Sequence, residues 1–284
     1  MGRWDAWVGR EEHRTDRLDE ALARRWCATF DRALPDGGIM PQGIHFCLCT
    51  PDAATEALGA DGHPARDDGA DGFFPPIPLP RRMWASSRID FLAPLKVGAA
   101  IERTSRIVSV AEKEGGSGKL GFVDVEHLTR ADEADAVREV QTLVYREAAA
   151  PDAPLSPPEP RGNAFDDSEW QNVRTVEPSG TLLFRYSALT FNSHRIHYDA
   201  PYAREVERYR GLVVHGPLIA SLLLQLAADE HGANALASFA FRAVSPAIAG
   251  ETLHLALRES DGGIELGSFA ADGRQTLKAD AALR

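Results

Sequence analysis

Between Asn192 and Asp199 the chain places an amide, two imidazoles and a carboxylate, as Asn192, His194, His197 and Asp199, and a third imidazole, His215, follows. Three kinds of chemistry draw on such groups. A metal site would accept H-x-x-H with Asp199, but neither H-E-x-x-H nor facial-triad spacing is present, so no metal is expected. A nucleophilic triad fails because Ser187 and Ser193 sit in no nucleophile elbow. General acid/base chemistry fits: an imidazole titrates near neutrality, and a neighbouring amide can orient a water. The bland alternative is a solvated loop with satisfied histidines.

Two elements must position these groups. After His215-Gly216, Pro217 is suited to a first helical position because it lacks an N–H that would have no partner there. Pro217 to Ala228 is apolar except for Ser221 and Gln225, and His231-Gly232 supplies a stop. An apolar helix too short to span a bilayer belongs inside a core. Its N-terminus would present N–H groups and the positive end of the helix dipole beside Gly216, where an oxygen gaining negative charge could be held. The alternative is that Gly216 only permits a tight turn. On the other side of the cluster, T-L-L-F-R-Y-S-A-L-T-F alternates imperfectly and is expected to be a strand.

The 284 residues carry 31 basic and 42 acidic side chains, a formal charge of -11, so no global positive field would attract nucleic acid or an anionic membrane. An anionic ligand must be held by local arginines. The three cysteines, Cys27, Cys47 and Cys49, make no C-x-x-C pair and are expected to be small buried hydrophobes in a reducing, cytoplasmic setting. No stretch is long and apolar enough for a membrane span, and the N-terminus lacks a signal-peptide core.

Residues 15–33 place Leu18, Leu22, Trp26 and Phe30 four apart, predicting an amphipathic helix capped by Thr15 or Asp16. Residues 51–80, rich in Asp, Gly, Ala and Pro, predict a long mobile loop. Four strands are expected in 82–146, the second and third joined as a hairpin by the Gly-rich 114–118, which lacks the pattern of a phosphate loop. A proline-rich stretch from about 149 marks a domain boundary, and four more strands follow the apolar helix. Pro94-x-x-x-Gly98 matches Pro246-x-x-x-Gly250, and at the same offset of 152 Ile44-His45-Phe46 matches Ile196-His197-Tyr198. The pattern is α+β, two copies of one module, with the buried helix kept only in the second.

The segment L-T-F-N-S-H-R-I-H-Y-D-A-P-Y-A and the following V-V-H-G-P-L-I-A-S-L resemble the MaoC-like enoyl-thioester hydratases and dehydratases. The resemblance is nearest to the branch that contains mitochondrial hydroxyacyl-thioester dehydratase and the bacterial mesaconyl-CoA and itaconyl-CoA hydratases. W-V-G-R near the start and L-P-R-R-M-W-A followed by A-P-L-x-V-G look like the same branch. The resemblance implies a double hot-dog fold: a degenerate module over 1–150, a linker over 151–169 and an active module over 170–284. It implies reversible hydration of a 2-enoyl-CoA, with mesaconyl, itaconyl and β-methylmalyl groups among the candidates.

Carried over residue by residue, His197 falls on the family's catalytic histidine and Gly216 on its oxyanion glycine. Asn192 stands where the broader family has an aspartate, so it can orient a water but cannot take a proton. That departure leaves His197 as the base, or brings in Asp199 or His215 as catalytic or supporting groups. Arg185, His194, Arg195 and Tyr198 are expected to bind the acyl part, the arginines as partners for a free carboxylate. Arg81, Arg82 and Trp84 are candidates for the coenzyme. No cofactor is implied; the expected partner is a thioester of coenzyme A or acyl carrier protein, and a homodimer is expected. A thioesterase and a non-catalytic acyl-binding module are the rival readings.

Overall fold

The computed structural model describes residues 3–67, 69, 71–115, 118–160, 162 and 164–284. Asp68 and Ala70 of the long loop, Gly116 and Ser117 of the hairpin turn, and Arg161 and Asn163 of the connector lie outside the described residues.

In chain order the elements are β1 (Glu11–Arg17), α1 (Glu20–Thr29), β2 (Arg81–Phe91), β3 (Ala100–Gly115), β4 (Gly118–Ala131), β5 (Ala134–Arg146), β6 (Asn172–Val176), α2 (Gly180–Thr190), α3 (Ala200–Glu205), α4 (Gly216–His231), β7 (Leu236–Ala243), β8 (Leu253–Ser260), β9 (Gly263–Ala270) and β10 (Gln275–Leu283). The strands form one sheet of ten in the order β1-β3-β4-β5-β2-β7-β10-β9-β8-β6, with every pairing antiparallel. Each strand of the second half lies as far from its edge as the strand five earlier does from the opposite edge. The halves meet at β2 and β7, in the register Ser86↔Arg242 to Asp90↔Ser238. This α+β pattern is the one expected.

Two expectations are corrected. The stretch 181–191 is helix, not strand: Ser179 accepts a hydrogen bond from the Leu182 N–H at 3.2 Å and caps α2. Leu183, Tyr186 and Leu189, three apart, then form its buried stripe. The first helix starts at Glu20, capped by the Asp19 carboxylate, while Thr15 and Asp16 belong to edge strand β1.

Helix α4 matches the apolar run and packs on β8, β9 and β10, with Leu218, Leu223 and Ala220 fully buried. Among the described residues the first half has no α-helix between α1 and β2. Its inner sheet face therefore lacks a helical cover, and that absence makes room for the site. Among the described residues no helix is long and apolar enough to cross a membrane.

Candidate active site

A continuous cavity of about 1670 Å³ runs between the halves, and His194, His197, His215, Gly216 and Asn192 all line it. His197 sits in a 3-10 turn, Arg195–His197, just beyond α2. Its Nδ1 lies 2.7 Å from the Val213 carbonyl oxygen. A carbonyl only accepts, so Nδ1 carries the proton and Nε2 keeps its lone pair. Val213 is itself fixed by its N–H to the Ile196 oxygen at 3.0 Å and by a bridge to Ile248.

The His215 ring stacks on His197, centroids 3.5 Å apart and 18° between planes. Its Nε2 is 2.9 Å from Ser187 Oγ, and its buried Nδ1 has no hydrogen-bond partner. His194 meets His197 edge to face at 5.5 Å. Burial, the largest influence on each, holds His194 and His197 down to about 3 and His215 well below the ordinary value. These imidazoles are neutral at physiological pH.

Gly216 opens α4. His215 offers no side-chain cap and Pro217 has no N–H, so the Gly216 N–H stays free of protein acceptors among the described residues. A Cβ on Gly216 would meet nothing within 4 Å. Glycine is therefore not demanded by packing there; its bareness leaves space in the cavity. Asn192 accepts the His194 N–H at 2.9 Å through Oδ1, which turns its amide nitrogen into the free end of the side chain.

Other expected ligands are not brought together with these. Arg185 is exposed and donates to the Ala28 oxygen at 3.2 Å, outside the cavity. Arg195 is held by Asp199 at 2.7 Å and lies over Tyr202. Asp199 also caps α3 through the Tyr202 N–H, so it faces neither histidine nor cavity. Tyr198 lies at the rim, half exposed. Arg81, Arg82 and Trp84 line the cavity: Arg81 is paired with Glu207 at 2.5 Å, Arg82 lies over Phe74, and the Trp84 indole donates to Ser87 at 2.8 Å.

The uncovered inner face of the first half carries polar groups that sequence reading left out. Ser105 pairs in register with His127, and His127 with Glu139, so the three form a row across β3, β4 and β5. Arg103, two residues before Ser105 and on the same face, donates to the Leu48 and Cys49 oxygens, and its buried Nε has no partner. His45, in the 3-10 turn Ile44–Cys47 that matches the one holding His197, has a buried, unpartnered Nε2 4.0 Å from Glu139. Burial raises Glu139 to about 7, against the opposing pull of Ser87 and Arg103, and lowers His45 and His127 to about 3. Tyr186 touches His215 at 5.2 Å, and Glu139 and Cys47 are close enough to act on its phenol, so the row and the histidine cluster adjoin.

The loop expected to be mobile is tied onto the cluster. Ser193 Oγ donates to Gly62 O at 2.6 Å, the Arg195 N–H to Asp61 O at 2.9 Å and Arg195 Nη1 to Ala60 O at 2.9 Å. These contacts bring Asp61 and His63 beside His194; the potential ligand atoms of the three lie within 4.8 Å of one another, as a metal would require. However, His63 Nδ1 is 3.1 Å from Asp61 and so already engaged by it, and the His63 and His194 rings are packed at 4.0 Å between centroids with 34° between planes.

Comparison with known proteins makes the chain a thioester hydro-lyase. The family model of hydroxyacyl-thioester dehydratase type 2 matches residues 43–249, and the chain belongs to that family. It is 40% identical to the mesaconyl-C(4)-CoA hydratase of Chloroflexus aurantiacus over 97% of this chain and 96% of that one. Among solved structures, HtdX of Mycobacterium tuberculosis superposes with a TM-score of 0.69 at 18% identity, over 97% of this chain and 100% of that one. A second protein of that organism, described as a double hotdog fold, superposes at 0.60 with 15% identity, over 97% and 96%. The chain thus has the double hot-dog fold and catalyses reversible hydration and dehydration of enoyl- and hydroxyacyl-thioesters.

Proposed function

We propose that the substrate is a 2-enoyl-CoA whose acyl group ends in a free carboxylate, of the mesaconyl type, and that His197, Asn192 and Gly216 carry the reaction. The supporting observation is that the His197 ring and the unoccupied Gly216 N–H line one cavity, with His215, the residue before Gly216, stacked on His197. His197 Nε2 takes a proton from a water oriented by the Asn192 amide as the oxygen attacks Cβ. The π electrons move toward the thioester oxygen, which the Gly216 N–H and the helix dipole hold, and Cα then takes up a proton. Dehydration reverses each step.

The acyl chain would enter the half that has no covering helix. There Arg103 Nε and His45 Nε2 are buried donors or acceptors without partners, a costly condition unless a ligand satisfies them. Glu139, raised toward 7, can donate from its protonated form, so Arg103 and Glu139 together suit a carboxylate. The identity with a mesaconyl-C(4)-CoA hydratase supports the same substrate class. A division into modules at 1–150 and 170–284 joined by a linker is our reading of the mirrored strand order.

Incubation with mesaconyl-CoA and crotonyl-CoA, following enoyl absorbance and free thiol, tests this function. Loss of absorbance without thiol release, faster for mesaconyl-CoA, is the expected result. Thiol release would indicate hydrolysis instead, and no change with either would refute the proposal.

A further inference from the structure

The site as described has a base but no matching acid. His197 removes a proton from water, and Asn192, an amide, cannot supply one to Cα. The buried neighbours His194 and His215 are held neutral, and Asp199 is engaged outside the cavity. A carboxylate–imidazole pair does reach the cluster, from the other half of the chain.

Asp61 and His63 stand on the long loop before β2. Asp61 Oδ1 accepts the His63 N–H at 3.0 Å, and Oδ2 lies 3.1 Å from His63 Nδ1. This fixes the ring with Nδ1 toward the carboxylate and Nε2 free, the arrangement in which a carboxylate orients an imidazole and balances the charge it acquires. His63 lines the same cavity as Asn192 and His197. The Asp61 carboxyl is held down to about 2, chiefly by His63 against the opposing effect of burial, so it is ionised.

The approach of the loop is built in. Gly62, between the two residues, has φ +86°, and a Cβ there would sit 2.0 Å from the Ser193 oxygen. Only glycine lets the backbone lie this close to the segment that carries His194 and His197. Together with the three hydrogen bonds from Ser193 and Arg195, this presses the Asp61–His63 pair against the site.

Resting on the hydratase reading, we infer that His63 is the second catalytic group of the reaction, the acid that protonates Cα during hydration, with Asp61 as its positioning residue. The step balances. The water O–H breaks to His197 Nε2 as the O–Cβ bond forms, and the π pair becomes the Cα–H bond with the proton from Nε2 of an imidazolium His63, which is left neutral with its Nδ1–H on Asp61. His197 then holds one extra proton and His63 one fewer, and the pair is reset through His194, whose ring contacts both, or through solvent at the partly exposed His63. The titratable groups that interact with His63 are Asp61, His194 and His197, and Arg82 acts on His194 beside it.

The test uses the full chain and measures kcat, KM and the pH profile of hydration for wild type, His63→Gln and Asp61→Asn, with thermal melting as a check of folding. The expected result is a loss in kcat of about 10²–10³-fold for His63→Gln with KM little changed, the alkaline limb of kcat gone, and a smaller loss for Asp61→Asn. Wild-type kcat and pH profile in a folded His63→Gln would overturn the inference and leave the hydratase reading standing. If His63→Gln fails to fold, Asp61→Asn decides, an unchanged pH profile counting against the inference. Wild type inert toward both thioesters would instead sink the reading on which it rests. Activity lost to a chelator and restored by zinc would also overturn it, assigning Asp61, His63 and His194 to a metal.

Discussion

The imidazoles of His197 and His215 lie face to face, 3.5 Å between centroids, with the His197 Nδ1–H directed at the Val213 oxygen. Two stacked rings in a buried setting cannot both be charged, since each imidazolium would repel the other and lose its hydration. The stack therefore keeps His197 a neutral base with a defined tautomer. His215, its Nε2 against Ser187, is the wall that sets the ring's plane.

Replacing His197 by glutamine keeps a donor for Val213 and removes the Nε2 lone pair. Hydration should fall about 10²–10⁴-fold in kcat, with the melting temperature changed by only a few degrees. Activity of the folded variant equal to wild type would remove His197 from the mechanism.

The buried histidines set how the fold responds to acid. His45, His127, His194 and His197 are held at about 3 in the folded chain against an ordinary 6.5. Between those values the unfolded chain binds protons that the folded chain does not, so stability falls as pH drops from 6.5 toward 3. Glu139 works the other way: raised to about 7 from 4.5, it favours the folded state below 7, fully so below 4.5. Asp61, at about 2 rather than 3.8, loses its contribution only below 3.8. Four histidines outweigh one carboxyl, so the melting temperature should decline by several degrees between about pH 7 and about pH 5. A scan of melting temperature against pH checks this, and a flat profile would contradict the burial of these rings.

Gly216 separates fold from function. A Cβ there meets no atom within 4 Å and the position is helical, so Gly216→Val should melt close to wild type. It should nonetheless lose about 10²-fold in kcat/KM, because the added methyls occupy the place of the thioester oxygen beside the N–H. Undiminished turnover would mean that the substrate does not use this end of α4.

The sequence made α4 and eight of the ten strands readable because their apolar residues keep a clear period. Strand β1 was not, because Glu11–Arg17 is polar almost throughout and pairs only on one edge; β6 is a second, shorter edge strand. Helix α2 looked like a strand because Phe184, 68% exposed, breaks the helical stripe. Of the proposed site, His197, Asn192 and Gly216 could be named from the sequence because they are close along it. Asp61 and His63 could not, since about 130 residues separate them from His194 and only the folded loop joins them. Arg103 and His127 were hidden differently. Polar residues on a strand ordinarily mark its solvent face, yet Arg103 and Ser105 share a face with buried Ile101 and Ile107. That exception to alternation is a signal of a wet interior, and it can be read from the register.

The first half's inner face gives the sharpest test of substrate choice. If Arg103 receives a carboxylate, Arg103→Met removes a charge-assisted partner from a buried position, a loss on the order of 2–5 kcal/mol for a ligand that carries the group. Mesaconyl-CoA should then lose about 10²-fold in kcat/KM while crotonyl-CoA, which has no second carboxylate, changes by less than about 3-fold. Arg103 also holds the Leu48 and Cys49 oxygens, so the variant loses those two bonds as well. The ratio of the two substrates on one sample cancels that effect, since unfolded protein lowers both rates equally. Arg103→Lys, which keeps the charge but not the paired geometry, should fall between wild type and Arg103→Met. Equal losses for the two thioesters would place the acyl carboxylate elsewhere, with Arg82 the next arginine in the cavity to examine.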